Sequence, residues 1–367
     1  MKINMVDLKK QYASIKDEID AAIKDVVEST QFIMGKNVSD FEAGCSRYLG
    51  VKHAIACASG TDALQIAMMA LDIKPGDEII TTPFTFVATA ETIALLGAVP
   101  VYADILNDTY NIDPKKIEAL ITEKTKAIIP VHLYGQAADL DPILEIAKKH
   151  NLYVIEDAAQ AFGTEYKGKK AGSLGTIGAT SFFPSKNLGA YGDAGMIFTQ
   201  DDVLAEKIRM IASHGSKERY VHEILGLNSR MDALQAAILN VKLKYIDKWN
   251  SARANNARLY REKLAGADVV TPFTADFSTH IYHQFSIRVK DRKGLQEFLS
   301  SKGIPTAVHY PIPLHQQPAF LDEERTFNLP VAEAVAKEII SLPMYPELTE
   351  EEIEYIANAI TEFAGKK

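Results

Sequence analysis

Seven short apolar runs recur between residues 54 and 199, and a turn or loop followed by a helical segment separates most of them. The runs are rich in Ile, Val, Ala and Phe, without the alternation of apolar and polar residues that marks a half-buried strand. This pattern is typical of strands that helices bury on both faces of a mostly parallel sheet. The sequence therefore predicts an α/β fold with a mostly parallel, seven-stranded sheet, formed by Ala54–Ala58, Glu78–Thr82, Val99–Ala103, Lys126–Val131, Tyr153–Asp157, Ala179–Phe183 and Met196–Thr199.

The rhythm of strand and helix changes after residue 200, where strand-like and helix-like segments alternate without the earlier spacing. A chain of 367 residues is long enough for a large domain and a smaller one. We predict a large domain over residues 1–250, which includes an N-terminal arm, and a small α+β domain over residues 251–367. Further helices are predicted at Ile15–Val27, Val38–Leu49, Val203–Ser213, Met231–Leu264, Val331–Ile340 and Glu350–Phe363.

The net charge and the hydropathy of the chain argue against some classes of partner. The net charge of -8 at pH 7 argues against a nucleic acid or an anionic membrane held by bulk electrostatics, although a local basic pocket can still bind a dianionic small substrate. The N-terminus has no apolar core of signal-peptide length, and no uncharged run approaches a membrane span, so we expect a cytoplasmic protein. The two cysteines, Cys45 and Cys57, have no metal-ligand spacing, and we expect Cys57 to be a buried, inert thiol. No metal site is expected.

Polar residues that end the strands of such a sheet lie along the edge where ligands bind. Ser59, Gly60 and Thr61 follow the first strand and open a helix, in A-S-G-T-D-A-L. Unpaired N–H groups and the helix dipole at that position favour an anion such as a phosphate. The alternative is an ordinary serine or threonine helix cap with a glycine for the tight turn.

Aromatic and acidic residues end two other strands. The second strand runs into P-F-T-F-V-A-T, where either Phe84 or Phe86 could stack on a flat ring, or pack in the core. The fifth strand ends at Glu156 and Asp157, with Gln160 one turn on. A carboxylate at the end of an apolar run needs a partner, and Asp157 could hold a ring nitrogen protonated. The alternative is an acid that caps a helix or binds a metal.

The sixth strand leads through Ser181 to Lys186, in S-F-F-P-S-K-N-L-G-A-Y-G-D-A-G. A lone lysine after a strand is usually a solvated charge. Here Lys186 shares a sheet edge with a predicted phosphate site, an aromatic residue and an acid. Together with the lysine, these are the four groups that bind pyridoxal 5′-phosphate. The chain has no G-x-G-x-x-G that opens a helix after the first strand and no G-x-x-x-x-G-K-S/T, which excludes dinucleotide and nucleoside-triphosphate sites of those types.

These residues resemble the sugar aminotransferases of the DegT/DnrJ/EryC/StrS type, which are pyridoxal-phosphate enzymes of the aspartate-aminotransferase fold (fold type I). The resemblance covers nearly the whole chain. Its motifs are M-V-D-L-K-K-Q, S-G-T-D-A-L, P-F-T-F-V-A-T, E-D-A-A-Q-A, S-F-F-P-S-K-N-L-G, G-L-N-S-R-M-D-A-L-Q-A-A, H-Y-P-I-P-L and S-L-P-M-Y-P.

The resemblance implies specific roles for single residues. Lys186 looks like the Schiff-base lysine, which is both covalent anchor and general acid/base, whereas dehydratases of the family have histidine at that position. Asn228 matches a residue that reaches the phosphate from a second subunit, which implies a homodimer with shared active sites. The other matched positions are Asp157 for the pyridinium nitrogen, Gln160 for the ring hydroxyl, Phe86 for stacking, and Gly60, Thr61 and Ser181 for the phosphate.

The resemblance also implies a reaction. An amino group moves from L-glutamate to the cofactor, which becomes pyridoxamine 5′-phosphate, and then to a nucleotide-linked keto sugar. Within the family the chain is most similar to aminotransferases of UDP-2-acetamido-2-deoxy-3-oxo-glucuronate, which act in bacterial surface-polysaccharide (O-antigen) synthesis. For that sugar, Arg230 is the candidate for the carboxylate, unless it forms a structural salt bridge, and His309 and Tyr310 are candidates for the sugar pocket.

Three alternatives stay open on the sequence. The chain could aminate another nucleotide keto sugar, such as a 3- or 4-keto-6-deoxy sugar linked to dTDP or UDP. It could bind pyridoxal phosphate as a regulator without turnover. It could also be a binding or structural subunit that only shares the fold.

Overall fold

The computed structural model describes residues 3–321 and 325–365. The strands of this part of the chain are β1 (His53–Cys57), β2 (Glu78–Thr81), β3 (Val99–Tyr102), β4 (Thr125–Ile129), β5 (Tyr153–Asp157), β6 (Glu165–Tyr166), β7 (Lys169–Lys170), β8 (Ile177–Ser181), β9 (Gly195–Thr199), β10 (Ser216–Glu218), β11 (Val221–His222), β12 (Phe285–Arg288) and β13 (Ile339–Leu342). Its helices are α1 (Leu8–Ser14), α2 (Lys16–Ser29), α3 (Lys36–Leu49), α4 (Gly60–Ala70), α5 (Ala88–Leu95), α6 (Leu140–His150), α7 (Asp202–Ala212), α8 (Ala233–Leu243), α9 (Ile246–Lys263), α10 (Arg292–Ser301), α11 (Pro330–Glu338) and α12 (Glu350–Ala364).

A seven-stranded sheet with the order β1-β9-β8-β5-β4-β2-β3 forms the centre of the molecule. Strand β9 is antiparallel to both of its neighbours, and the other paired strands are parallel. The mostly parallel α/β fold is therefore confirmed, and all seven predicted runs contribute strands. The sixth run is displaced by two residues, because the chain leaves the sheet at Ser181. Phe182 and Phe183, which were predicted to be in the strand, belong to the following loop.

Neighbouring residues of the central strands pack into different hydrophobic clusters. Ile129 and Ile155 belong to a cluster with α4 and α7, whereas Ile128 and Val154 belong to a second cluster with α6. Successive side chains of a strand point to opposite faces. Both faces of the sheet are thus covered, which explains why the runs show no apolar and polar alternation.

A second hydrophobic core surrounds the antiparallel pair β12 and β13 and includes residues of α9, α10 and α12. Ile3, at the start of the described chain, also packs in this core. Helix α9 packs in two different hydrophobic clusters. Trp249 packs against residues of α2 and α8, whereas Tyr260 packs in the second core. The predicted boundary at residue 250 lies inside this helix, and the division into domains stays a prediction.

The predicted continuous helix from Met231 to Leu264 is wrong. Two helices, α8 and α9, are separated by a turn at Lys244 and Tyr245. The backbone N–H of Tyr245 donates to Lys242 O at 2.9 Å, a three-residue spacing that ends α8. No glycine or proline marks this break in the sequence. The Tyr245 hydroxyl donates a hydrogen bond to Glu18 of α2, so tertiary packing contributes what the sequence pattern lacks.

Both cysteines are free and buried, as expected for Cys57, and burial raises the pKa of both thiols. Within the described ranges, no helix is both long and apolar enough to span a bilayer.

Candidate active site

The first turn of α4 lies against the end of β8. Ser59 caps the helix, since its hydroxyl accepts a hydrogen bond from the Asp62 N–H at 3.1 Å. A Cβ atom on Gly60 would lie 2.5 Å from the Ser181 Cβ, so only glycine permits this approach. The first N–H groups of a helix have no partner within it. Together with the Thr61 and Ser181 hydroxyls, they form a cradle for an anion.

Lys186 lies on the loop after β8 and is half-buried. Its ammonium group makes no hydrogen bond or ion pair to any residue in the described part of the chain. Burial lowers the pKa of Lys186 to about 8, and the negative charge of Asp157 opposes part of that shift. About a tenth of such an amine is uncharged at pH 7, far more than for an ordinary lysine, and the uncharged form is the nucleophile.

Asp157 ends β5 and is buried, with both carboxylate oxygens hydrogen-bonded. Oδ2 accepts from the Thr89 hydroxyl at 2.8 Å, and Oδ1 accepts from the Ala159 N–H at 3.1 Å. Thr89 lies on α5, so this contact joins the second and fifth βα units of the sheet. The sequence analysis missed Thr89, although P-F-T-F-V-A-T places it one helical turn after Thr85, whose hydroxyl lies 3.1 Å away.

Glu156, the neighbouring acid, serves a different purpose. It accepts hydrogen bonds from His132 Nε2 at 2.9 Å and from three backbone N–H groups of the loop from Gly172 to Gly175. Burial by itself raises the pKa of Glu156, but His132 and these N–H groups outweigh that effect and hold the pKa below its ordinary value. Glu156 therefore fixes a loop behind the sheet, while Asp157 faces the site.

Gln160 links Tyr134 to Tyr310 at the site. Gln160 Oε1 accepts from the Tyr134 N–H at 2.8 Å, which leaves Nε2 to donate to the Tyr310 hydroxyl at 3.1 Å. The Tyr310 ring lies 6.3 Å from that of Phe86. Phe86 is 54% exposed, whereas Phe84 is fully buried in the core. Of the two phenylalanines, only Phe86 presents a free ring face to a ligand.

Two histidines complete the wall of the site next to Lys186. His309 Nδ1 lies 2.9 Å from Ser341 Oγ, and His283 Nδ1 lies 3.3 Å from Asn187 Oδ1. Burial, and then the nearby charge of Lys186, lowers the pKa of both imidazoles. They are therefore neutral donors or acceptors at physiological pH. Sequence analysis had named His309 but not His283, whose only signal is its place in the strand-like segment T-H-I-Y-H-Q-F.

One cavity of about 480 Å³ brings most of the predicted residues together. It does not include Asn228 or Arg230. Asn228 is exposed and bridges Ser213 through its backbone, and Arg230 is half-buried without a salt bridge to any described residue. The predicted residues that line the cavity are Gly60, Thr61, Phe86, Asp157, Gln160, Ser181, Lys186, His309 and Tyr310.

The lining groups fit pyridoxal 5′-phosphate. An amine without a protein partner, a buried carboxylate, an exposed aromatic face and an anion cradle converge on one space, and the cradle would be filled by a Cβ on Gly60. These are the groups that the cofactor's aldehyde, ring nitrogen, ring face and phosphate require.

Comparisons with known proteins agree with this fit. The model of the DegT/DnrJ/EryC1/StrS aminotransferase family matches residues 13–361. A pleiotropic regulatory protein of Geobacillus stearothermophilus is 52% identical over 99% of this chain and 99% of its own length. The UDP-2-acetamido-2-deoxy-3-oxo-D-glucuronate aminotransferase of Pseudomonas aeruginosa is 52% identical over 98% of this chain and 99% of its own.

Among solved structures, DesV of S. venezuelae in complex with a ketimine intermediate is 39% identical. It superposes with a TM-score of 0.97 and covers 100% of this chain and 99% of its own. The chain therefore belongs to the DegT/DnrJ/EryC1/StrS aminotransferase family, and it is an aminotransferase that uses pyridoxal phosphate.

Proposed function

We propose that this enzyme transfers the amino group of L-glutamate to C3 of UDP-2-acetamido-2-deoxy-3-oxo-glucuronate, in the synthesis of a bacterial surface polysaccharide such as O-antigen. The observation that carries the reaction type is the pairing of Lys186, with a pKa near 8, and Asp157 in one cavity. The substrate rests on the 52% identity to the Pseudomonas aeruginosa enzyme over nearly the full length of both chains. A UDP-linked substrate places the reaction in the cytoplasm.

Each residue that lines the cavity has a task in this proposal. When bound, pyridoxal phosphate supplies an aldehyde that carries the amino group and a ring that accepts electrons. Lys186 would be the covalent anchor, and its freed amine would take the proton from the donor α-carbon and deliver it to the former aldehyde carbon of the cofactor. Its pKa of about 8 allows it to do both near neutral pH. The same lysine serves both half-reactions, which predicts ping-pong kinetics.

The remaining cofactor contacts orient the ring. Asp157 would keep the ring nitrogen protonated, and Gln160 Nε2 would be available to the ring hydroxyl because Gln160 Oε1 accepts from the Tyr134 N–H. Phe86 would supply the stacking face, and Gly60, Thr61 and Ser181 would hold the phosphate.

We propose a homodimer with shared active sites, and the reason is the negative charge of the sugar carboxylate in the proposed substrate. A sugar carboxylate is best bound by a guanidinium, yet no described residue that lines the cavity is an arginine. Arg230 has a guanidinium without a carboxylate partner in the described chain, and it lies two residues from Asn228, which is exposed. In the proposal, a second copy delivers Asn228 to the phosphate and Arg230 to the sugar carboxylate, opposite His309 and Tyr310.

A neighbouring surface supports the dimer. Phe32, Ile33 and Met34 form an exposed apolar run, with exposed fractions of 44, 53 and 42%. This run is attached to the segment after Arg230, since the Ala233 N–H donates to Phe32 O at 2.9 Å. An apolar run of this kind next to two unpartnered polar residues is typical of a surface that another copy covers.

A spectrum tests the reaction type. Purified enzyme is expected to absorb in the visible range through the cofactor bound to Lys186, to lose that absorbance with L-glutamate, and to release 2-oxoglutarate. Lys186→Ala is the control: it should bind the cofactor and lose several orders of magnitude in turnover. A wild-type enzyme that binds the cofactor and never responds to glutamate would support a regulator instead.

A substrate panel tests the sugar. UDP-linked 3-oxo sugars with and without a C6 carboxylate are compared for the second half-reaction, alongside a dTDP-linked 3- or 4-keto-6-deoxy sugar. The carboxylated sugar should have the highest kcat/KM, and Arg230→Met should remove that preference. Equal rates with and without the carboxylate, in wild type and Arg230→Met alike, would refute the assigned substrate.

A further inference from the structure

Lys242, on α8, is a fully buried lysine without an acidic partner in the described part of the chain. Burial of an ammonium group is costly unless polar groups compensate for the lost water. Two contacts do so. Nζ donates a hydrogen bond to Gly189 O at 2.6 Å, and it lies 4.3 Å from the centroid of the Tyr191 ring. The second distance is within the range of a cation–π interaction.

Both contacts of Lys242 belong to the loop that carries Lys186. The Lys186 N–H donates to Phe183 O at 2.8 Å, and the Ala190 N–H donates to Phe182 O at 2.8 Å. A Cβ on Gly189 would lie 2.3 Å from Pro184 O, so the two ends of the turn touch. Residues 182–190, which include Lys186, thus form a closed turn. Lys242 donates to the carbonyl of Gly189, near the C-terminal end of this turn.

Other side chains of α8 and α9 hold the same turn. Gln235 of α8 accepts a hydrogen bond from the Tyr191 N–H at 2.8 Å. Asn187 donates to Asn250 of α9 at 2.7 Å and to Ile281 O at 3.1 Å. Helices α8 and α9 therefore both hydrogen-bond to the lysine loop. Of the side chains that make these contacts, that of Lys242 belongs to the residue with the lowest exposed fraction.

We propose that Lys242 is a positioning residue for transamination: it holds the loop of residues 182–190 closed, so that the Lys186 amine stays in line for proton transfer. The proposal rests on the assignment of Lys186 as the covalent anchor. Proton transfer between a side chain and a carbon atom is sensitive to displacements of about 1 Å, and Gly189 lies only three residues from Lys186. If the Gly189 carbonyl loses its donor, the turn can open and the amine moves.

The charge state of Lys242 does not decide this function. Burial lowers the pKa of Lys242 to about 7. An amine carries N–H donors in both protonation states, so the bond to Gly189 O persists across this titration. The charged form adds the attraction to the Tyr191 ring.

Three variants separate a positioning function from a merely structural one. Lys242→Met removes the donor with little change in shape, Lys242→Gln is one atom shorter and also leaves Gly189 O out of reach, and Lys242→Arg restores a donor. Lys244→Met is the matched control, because Lys244 is an exposed neighbour whose side chain pairs, among the described residues, only with Glu18. Loss of the buried charge is favourable and loss of the donor to Gly189 O is unfavourable, so we expect only a small change in the melting temperature.

The experiment measures hydrogen exchange of the amides from Lys186 to Tyr191 in full-length protein, with and without cofactor, and the rate of the half-reaction with glutamate. We expect about tenfold faster exchange and about tenfold slower half-reaction in Lys242→Met. Lys242→Arg should recover part of both, and Lys244→Met should match wild type. If Lys242→Met fails to fold, Lys242→Gln must give the same loop-specific result.

Wild-type exchange in this loop for Lys242→Met, or for Lys242→Gln as its substitute, would overturn the proposal. Equal increases in exchange across α8, α9 and the loop, with a lower melting temperature, would also overturn it, since they indicate a structural function. The exchange measurement needs no turnover. A wild-type enzyme that fails to react with glutamate would therefore refute the proposed function and leave this inference to be decided by exchange alone.

Discussion

The Thr89 hydroxyl of α5 donates a hydrogen bond to Asp157 Oδ2 at the end of β5, over 2.8 Å and away from solvent. The other carboxylate oxygen of Asp157, Oδ1, accepts a hydrogen bond from the Ala159 N–H. The carboxylate is thus oriented from two elements before any ligand is present. This orientation matters because a carboxylate that faces a ring nitrogen must already point at it when the cofactor arrives.

Thr89→Val should weaken cofactor binding by about tenfold or more, because a hydrogen bond to a charged group contributes about 1.5–3 kcal/mol. Fluorescence or absorbance titration of the cofactor-free protein measures the dissociation constant. Thr92→Val is the matched control, since within the described ranges its buried hydroxyl bonds only to Ala88 O of the same helix. Equal affinities of Thr89→Val and wild type would show that Asp157 needs no such support.

The lowered pKa of Lys186 predicts how cofactor capture depends on pH. Since only the neutral amine attacks an aldehyde, the rate at which cofactor-free enzyme captures pyridoxal phosphate should rise with pH up to about 8 and then level. An ordinary lysine would keep gaining rate to about pH 10. Asp157 raises the pKa of Lys186, so Asp157→Asn should move the midpoint to lower pH. Stopped-flow absorbance across pH 6–10 measures the rate, and a midpoint near 10 would contradict the prediction.

Gly60→Ala should separate phosphate binding from binding of the ring. The added Cβ meets the Ser181 Cβ at 2.5 Å, so the first turn of α4 must move away from the end of β8. We expect about tenfold weaker affinity for pyridoxal 5′-phosphate and nearly wild-type affinity for pyridoxal, which has no phosphate. Competition binding with both ligands gives the two constants. A parallel loss for both would mean that this turn shapes the whole cavity and not the anion site.

Glu156→Gln should lower stability by about 3 kcal/mol, because it leaves His132 and three loop N–H groups with a poorer acceptor in a buried site. The folded-state pKa of Glu156 lies below its ordinary value. Its contribution is therefore fully present at neutral pH and is lost as the pH falls through the folded-state pKa. Urea unfolding at pH 7 and pH 4 measures it, with a smaller gap between variant and wild type expected at pH 4. An equal gap at both pH values would count against a charged Glu156.

Much of the fold could be predicted because burial on both faces leaves a local signature. Seven apolar runs predicted seven strands, and the residues at the ends of four of these runs predicted the edge of the site. The boundary of β8 was predicted two residues too late, since the aromatic residues after Ser181 are as apolar as a strand. Only packing shows that Phe182 enters the core and that Phe183 is exposed.

The break between α8 and α9 could not be predicted, because neither a glycine nor a proline marks it. The contacts at the break are tertiary: the Tyr245 hydroxyl donates to Glu18 of α2, and α8 and α9 both hydrogen-bond to the lysine loop. Thr89 and His283 were missed for a similar reason. A threonine on a helix or a histidine in an irregular segment carries no chemical signal until the fold brings it to a carboxylate or a lysine.

The sequence by itself determined that four kinds of group, an anion cradle, an aromatic ring, an acid and a lysine, end strands of one sheet, since each follows an apolar run. Its residues left Phe84 and Phe86 as alternatives for the aromatic ring and named Asp157, not Glu156, as the acid. The tertiary structure shows where these four residues lie: Phe84 is in the core and Phe86 is exposed, while Glu156 binds a loop and Asp157 lines the cavity. Glu156 and Asp157 are adjacent in a strand and so point to opposite faces, and only long-range packing determines which face holds the site.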